Sequence, residues 1–505
     1  MKFNFFNKVK ETITNHEGAK TYSLTLEMEL YTAVVTSSLN NTFYEKADNR
    51  LERIQNLIEK SDPLFVAKLA IYARQQMYMR TLPLVLIVEL AKSKKTTIFL
   101  AKMVAGVVQR ADEITELLAY YQLANNRTET KKLNKLSKQI QKGLAASFNR
   151  FDEYQFAKYD KSTAVTLRDA LFLVHPKAKD EHQQQLFDKI ATKKLDTPYT
   201  WETELSALGQ QKFESEIDKL VQIKNKWEEL IDSKKLGYMA LLRNLRNILD
   251  ADVSYVHIQK ICDYLSDITA VANSKQFPFR FLAAYRELKD HTNGYTNMVL
   301  QALEKAIQAS IINMKGFDEN TRVTIAADVS GSMQFPISPR SKVLGYDIAL
   351  VLAMLLQSKC KNVITGMFGD TWKTINVSSM NILANVGEFY QREGEVGYST
   401  NGYLVIKDLL NRKKVMDKVM LFTDMQLYDS TQGNTSIQVL WKEYKKIAPM
   451  AKLYLFDVKG YGTTPLDIKT DDVYVIAGWS DKVFDILESL ENGVDALQKI
   501  NQIAL

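Results

Sequence analysis

The sequence predicts a multidomain chain, an all-α helical-repeat half followed by an α/β half. Glycine first marks the division: residues 1–321 hold 7 of the 20 glycines and residues 322–505 hold the other 13. In the first half apolar residues recur at steps of three and four, the spacing of a helix face. In the second half short apolar runs alternate with helical stretches, the pattern of a sheet covered by helices on both faces. At 505 residues the chain is also too long for a single core.

The helical windows follow in order. LERIQNLIEK (51–60), PLFVAKLAIYARQQM (63–77), LPLVLIVELAK (82–92) and TIFLAKMVAGVVQRADEITELLAYY (97–121) each carry an apolar stripe. Asp62-Pro63 opens one helix with a capping carboxylate and a proline at the first helical position. Pairs of such helices stack because one pair cannot bury its own stripe. The expected division is therefore residues 1–320 and 321–505.

The second half reads as strand Val323–Ala327, helix Lys342–Gln357, strand Val363–Phe368, and helices Met380–Gln391 and Gly402–Asn411. Strand Val419–Phe422, helix Ile437–Ile447, strands Leu453–Val458 and Val473–Ala477, and a closing helix Asp481–Gln498 complete it. Continuous apolar strands of this kind form a parallel sheet, whose chemistry lies beyond the strand C-termini. Asp328 and Asp424 fall there.

Composition narrows the function classes. With 46% hydrophobic and 25% charged residues the chain is neither collagenous nor disordered. Its longest apolar run, Ile348–Leu356, is about half a bilayer span. The N-terminus shows no apolar core followed by a small-residue cleavage site. Cys262 and Cys360 are too few for a disulfide framework. A reduced, cytoplasmic protein without a membrane partner is the expectation. The net charge of +7 sits wholly in residues 1–321, which carry 46 Lys+Arg against 39 Asp+Glu, whereas residues 322–505 balance at 20 and 20. A polyanionic partner for the first half is therefore the class to test.

The sharpest motif is Asp328-Val329-Ser330-Gly331-Ser332, directly after a strand. Alternate residues of an extended loop point the same way, so one carboxylate and two hydroxyls converge, and Gly331 is expected to permit the tight turn. An all-oxygen set suits a hard divalent cation, Mg²⁺ first and Mn²⁺ or Ca²⁺ as alternatives. Asp424 offers a second carboxylate and Thr400, in GEVGYSTNG (394–402), a third hydroxyl. The plain reading is a carboxylate that only caps the next helix. An aspartyl phosphatase would want Asp at position 330, and a serine hydrolase a histidine beyond His291; neither is present.

DVSGSM after the first strand, the loop threonine and LFTD on a later strand resemble the von Willebrand factor A domain and its metal-ion-dependent adhesion site. The resemblance covers roughly residues 321–505. It implies that Asp328, Ser330 and Ser332 hold one divalent cation directly or through water and that Thr400 and Asp424 complete the set. The sixth position is usually left for a partner's carboxylate.

A second constellation is cationic. In KKLNKLSKQIQKGLAASF (131–148), Lys131, Lys135, Lys138 and Lys142 recur at steps of four, three and four, with Leu133, Leu136, Ile140 and Leu144 opposite them. At about 100° per residue the lysines form a narrow stripe on a helix. Residues 127–150 carry seven Lys+Arg and one acidic residue. Without context such a stripe is a solvated helix face.

This helix and the segment after it are similar to the core of the TROVE domain, the domain of the Ro ribonucleoprotein autoantigen family and its bacterial members. The matching residues are K-G-L at 142–144, F-D-E-Y-Q-F-A-K-Y-D at 151–160, L-R-D-A-L at 167–171 and H-P-K at 175–177. The resemblance implies a HEAT-like ring of helical repeats over residues 1–320, followed by the von Willebrand A-like domain. It also implies binding of small noncoding (Y-like) RNA outside the ring and of the single-stranded ends of misfolded RNA in its hole. Lys158 and His175 match basic family positions; a third, arginine in the family, falls on Ser162, with Lys161 beside it. The expectation is a monomeric, non-enzymatic scaffold for RNA quality control or for a nuclease such as polynucleotide phosphorylase, tethered through RNA.

The rival is a protein-binding adhesion or chaperone-like module whose cation captures a partner carboxylate. Such a solenoid has no need of aligned lysines. A metal-dependent nuclease would need more carboxylates than Asp328 and Asp424 supply.

Overall fold

The computed structural model describes residues 12–37, 42, 44–93, 98–126, 136–160, 163–311, 320–337, 341–428, 436–468 and 472–505. The chain forms two compact units, one of residues 55–240, 251–257 and 498–505, the other of residues 1–54, 241–250 and 258–497. The second unit therefore draws on both sides of the composition boundary near residue 320.

The first unit is helical. The helix Pro63–Gln75 starts as its sequence dictates: the Asp62 carboxylate accepts the N–H of Phe65 and Pro63 stands in the first turn. The window 97–121 is two helices, Leu100–Val107 and Asp112–Ala124. Glu113 explains the break. Its buried carboxylate accepts the N–H groups of Gln109 and Arg110 at 2.7 and 3.1 Å and pairs with Arg74 at 2.7 Å, giving the connecting turn the bonds a continuous helix would have made. Helices Lys138–Phe148, Glu153–Tyr159 and Leu167–Val174 follow. The first of these, predicted over residues 131–148, begins at Lys138 with Ser137 before it, residues 131–135 lying outside the described residues.

The second unit holds the sheets. An N-terminal hairpin, β1 (Thr12–Thr14) and β2 (Lys20–Ser23), stands within the segment expected to be all helical. The strands that follow are β3 (Arg322–Asp328), β4 (Asn362–Phe368), β5 (Trp372–Thr374), β6 (Lys418–Thr423), β7 (Lys452–Asp457), β8 (Thr463–Thr464) and β9 (Val473–Ala477). Six of them form one sheet in the order β5-β4-β3-β6-β7-β9. All neighbours are parallel except β5, which adds to β4 antiparallel, so the expected parallel sheet gains an antiparallel edge. β2 pairs with β8, Tyr22 opposite Thr464, in a separate three-stranded sheet.

The apolar run that is half as long as a membrane span lies in the helix Gly345–Gln357, buried along its whole length. Its apolar residues are sheet core, and no helix among the described residues is long and apolar enough to cross a membrane. The closing helix predicted over 481–498 is two, Val483–Glu491 and Ala496–Asn501. Gly493, at φ +79°, takes the left-handed turn between them.

Chain order now places the site. From β3 the chain passes to β4 on one side and later returns to β6 on the other, so the C-terminal ends of β3 and β6 flank the topological switch point of the sheet.

Candidate functional site

Asp328 ends β3 and is fully buried. Its Oδ1 accepts the N–H of Ser330 at 2.9 Å and its Oδ2 the hydroxyl of Thr423 at 2.6 Å. The Ser330 and Ser332 hydroxyls lie 3.3 Å apart, both buried. Gly331 has no positive φ and open space where a Cβ would stand, so this turn does not require glycine, contrary to the expectation.

Backbone bonds stitch two further loops to this one. Gly331 N–H donates to the carbonyl of Tyr398 at 3.0 Å and Tyr428 N–H to that of Thr400 at 2.9 Å. Thr400 is therefore buried while the neighbouring Ser399 faces out. Asp424 follows β6, fully buried, its Oδ1 accepting the N–H of Gln426 at 2.9 Å.

Two oxygens here lack what burial ordinarily demands. Thr400 Oγ1 and Asp424 Oδ2 are sealed from solvent and have no hydrogen-bond partner. Burial raises the pKa of Asp328 above the usual carboxylate range, and the charge of Asp424 adds to it. Burial also raises Asp424; the carboxylate of Glu17 adds to the rise, while the Gln426 N–H, the Ser332 hydroxyl and the Lys459 ammonium oppose it. Lys459 is itself buried, which lowers it to about 8. Two carboxylates, three hydroxyls and orphaned oxygens among them are a donor set suited to a hard cation. Among the described residues no three His, Cys, Asp or Glu side chains converge closely enough to form a metal cluster by themselves, so hydroxyls and water have to supply the rest of such a set.

Four neighbours of this site were not anticipated. Thr423 orients Asp328. Asp457, at the end of β7, is buried with one oxygen unpartnered and its pKa raised to about 6 by burial; the run LFD (455–457), echoing LFTD, was its signal in the sequence. Glu17 and Tyr44 carried no local signal at all.

The basic residues lie in the helical unit. Lys138 and Lys142 are exposed on the helix Lys138–Phe148. That helix seats against Leu100–Val107 through Gly143, where a Cβ would lie 2.5 Å from Val104 Cβ and 2.7 Å from the Ala101 carbonyl. The segment after Leu167–Val174 runs along it: Gln141 Nε2 donates to the Val174 carbonyl at 3.0 Å, and Asn149 Nδ2 to the Lys177 carbonyl at 2.9 Å. Residues 138, 142, 145 and 149 share one helix face. Lys138 and Lys142 are thereby grouped with His175, Lys177 and Lys179, none of them buried. His175 caps its helix in the left-handed conformation, φ 50°. Lys158 stands in the next helix, its ammonium 5.5 Å from the Tyr154 ring and 5.7 Å from that of Tyr159. Lys131, Lys135, Lys161 and Ser162 lie outside the described residues.

Comparison with known proteins agrees with this architecture. The family model of the TROVE domain matches residues 7–212 and 191–329, well over half the chain. Telomerase protein component 1 of Rattus norvegicus is 24% identical over 305 residues, 45% of this chain and 11% of that protein. The Mus musculus protein of the same name is 24% identical over 302 residues, 44% of this chain and again 11% of that protein. The match thus spans a small part of these relatives' length. Among solved structures, the Deinococcus radiodurans RO (RSR) protein superposes with a TM-score of 0.56 at 16% identity, over 93% of this chain and 100% of that one, a likeness of fold. With a family match of this extent, the chain belongs to the TROVE-domain family.

Proposed function

We propose that this protein is an RNA-binding component of a ribonucleoprotein, its helical unit gripping the phosphates of a small structured RNA. The supporting observation is the solvent-facing group Lys138, Lys142, His175, Lys177 and Lys179 on one helix face and the segment pinned to it. Ammonium groups neutralise phosphates without reading sequence, and an exposed imidazole stacks on or hydrogen-bonds to an unpaired base. Lys131, Lys135, Lys158 and Lys161 are proposed as further RNA contacts on the sequence resemblance, and Y-like RNA and single-stranded ends of misfolded RNA are the proposed ligands. The role is that of a monomeric, cytoplasmic, non-enzymatic scaffold in RNA quality control, with a nuclease such as polynucleotide phosphorylase joined through the RNA.

The sheet unit in this reading carries a von Willebrand A-like cation site. Asp328, Ser330, Ser332, Thr400 and Asp424 would hold one divalent ion, Mg²⁺ by preference. Bound there, the ion supplies positive charge to buried carboxylates and an open position for an oxygen ligand. The orphaned oxygens of Thr400 and Asp424 favour this reading over a purely capping role for Asp328. The rival, an adhesion or chaperone-like module, shares the cation site but gives the lysine group no task.

Purified protein should carry nucleic acid, seen as a raised 260/280 nm absorbance ratio, and crosslinking in cells followed by sequencing should recover small structured RNA. Recovery of proteins alone, with no RNA at low salt, would favour the rival.

A further inference from the structure

The turn between β1 and β2 is Asn15-His16-Glu17-Gly18, closed by the Gly18 N–H on the Asn15 carbonyl at 3.0 Å. It is fastened to the loop that carries Asp424. Asn15 Nδ2 donates to the Leu427 carbonyl at 2.8 Å, and His16 N–H donates to Gln426 Oε1 at 2.9 Å. Gln426 N–H in turn holds Asp424. The Tyr44 ring stacks on His16 with centroids 4.7 Å apart and meets Tyr461 edge-on at 5.5 Å. Its hydroxyl donates to the Glu17 carboxylate and also reaches the Ser332 hydroxyl.

This placement is costly unless a cation is present. Glu17 is only half-buried, yet its turn is fastened to the loop of Asp424 and its carboxylate acts on Asp424, in a site that already holds two buried carboxylates. Like charges gathered in a low-dielectric pocket repel, and among the described residues the cations there, the Lys459 ammonium and the buried Arg50 guanidinium, are outnumbered by Asp328, Asp424, Asp457 and Glu17. Asp424 Oδ2 remains without a partner on the same site.

We propose that the β1–β2 turn closes this chain's own cation site, the Glu17 carboxylate standing, through a bound water and the Tyr44 hydroxyl, where a partner's carboxylate would otherwise dock. The inference rests on the cation site proposed above. It makes Glu17 and Tyr44 positioning residues for the ion and makes the hairpin a competitor of any carboxylate-bearing partner.

The test uses full-length protein titrated with Mn²⁺, reading affinity by electron paramagnetic resonance and ion-bound water by proton relaxation, with and without acetate. Wild type, Glu17→Gln, Tyr44→Phe and Asp424→Asn are compared, with circular dichroism melts to establish folding. The expected result is that Glu17→Gln and Tyr44→Phe each weaken Mn²⁺ by about tenfold. Both should also let acetate perturb the bound ion, while wild type ignores acetate. Equal affinity, equal water count and the same response to acetate in wild type and Glu17→Gln would overturn the closure while leaving the cation site standing. If wild type binds no Mn²⁺, or Asp424→Asn binds it undiminished, the cation site fails and the closure falls with it.

Discussion

Arg286 and Asp347 form a forked ion pair, Nη1 to Oδ2 at 2.8 Å and Nη2 to Oδ1 at 2.6 Å, with the Asp347 carboxylate wholly buried. Asp347 Oδ2 also accepts the N–H of Leu344 at the start of the helix Gly345–Gln357. The pair ties the helix Pro278–Leu288, which composition assigns to the helical half, to the central helix of the sheet unit. Both helices belong to one compact unit, which is one reason that unit crosses residue 320.

Breaking this pair strands a buried charge. Arg286→Ala should therefore destabilise the sheet unit by about 3 kcal/mol. Arg286→Lys, which keeps the charge and loses the fork, should cost less. Thermal melts followed by near-ultraviolet circular dichroism will check this, and an unchanged melting temperature in Arg286→Ala would show the pair to be dispensable.

Charge reversal on the basic helix face should act on RNA affinity and leave the fold alone, since neither side chain is buried. Lys138→Glu with Lys142→Glu should weaken binding of a small structured RNA across sequences. It should also flatten the slope of log K against log salt by about 2, one unit for each phosphate that is no longer neutralised. Filter binding across a salt series gives both quantities. A slope equal to wild type would place the RNA elsewhere.

Cation removal should make stability depend on pH. Burial raises both Asp328 and Asp424, so the folded chain binds protons that the unfolded chain has released by about pH 4 to 5. Where the folded state holds more protons, stability falls as pH rises through the folded pKa. In a chelator the melting temperature should decline from the ordinary carboxylate range toward neutrality, and saturating Mg²⁺ should shrink the decline by compensating both charges, leaving the part that the buried Asp457 contributes. Parallel melts with and without Mg²⁺ decide it; identical profiles would sink the cation site.

Gly143 sets how closely two helices approach. With Val104 Cβ at 2.5 Å and the Ala101 carbonyl at 2.7 Å from an added Cβ, Gly143→Ala has to push the helix Lys138–Phe148 off its neighbour. Overpacking of this kind costs about 1–3 kcal/mol. The signature is accelerated amide hydrogen exchange confined to residues 100–107 and 138–148. Wild-type exchange there would show that the pair tolerates separation.

What the sequence disclosed, and what it hid, follows sequence separation. Asp328, Ser330 and Ser332 were legible because they lie within five residues at a strand end, and Asp424 because β6 is a continuous apolar run. The helix Gly345–Gln357 and the strands around it were legible for the same reason, with ends displaced by a few residues. The break near Gln109 was hidden because the apolar spacing runs on through it; only the buried Glu113 shows why the backbone turns. Glu17 and Tyr44 were hidden more deeply, since what brings their segment to the site are contacts such as that of Asn15 with Leu427, 412 positions apart. The basic group was half legible: the lysine stripe announced itself, but Lys177 and Lys179 join it only through Gln141 and Asn149.

The pairing of β2 with β8 bears on biosynthesis. Thr21 donates its hydroxyl to the carbonyl of Thr464, 443 residues further on. A ribosome makes the N-terminal strand long before its partner, so that strand must wait, unsatisfied along one edge, while the intervening chain is translated. An early segment to emerge is among the last to be seated.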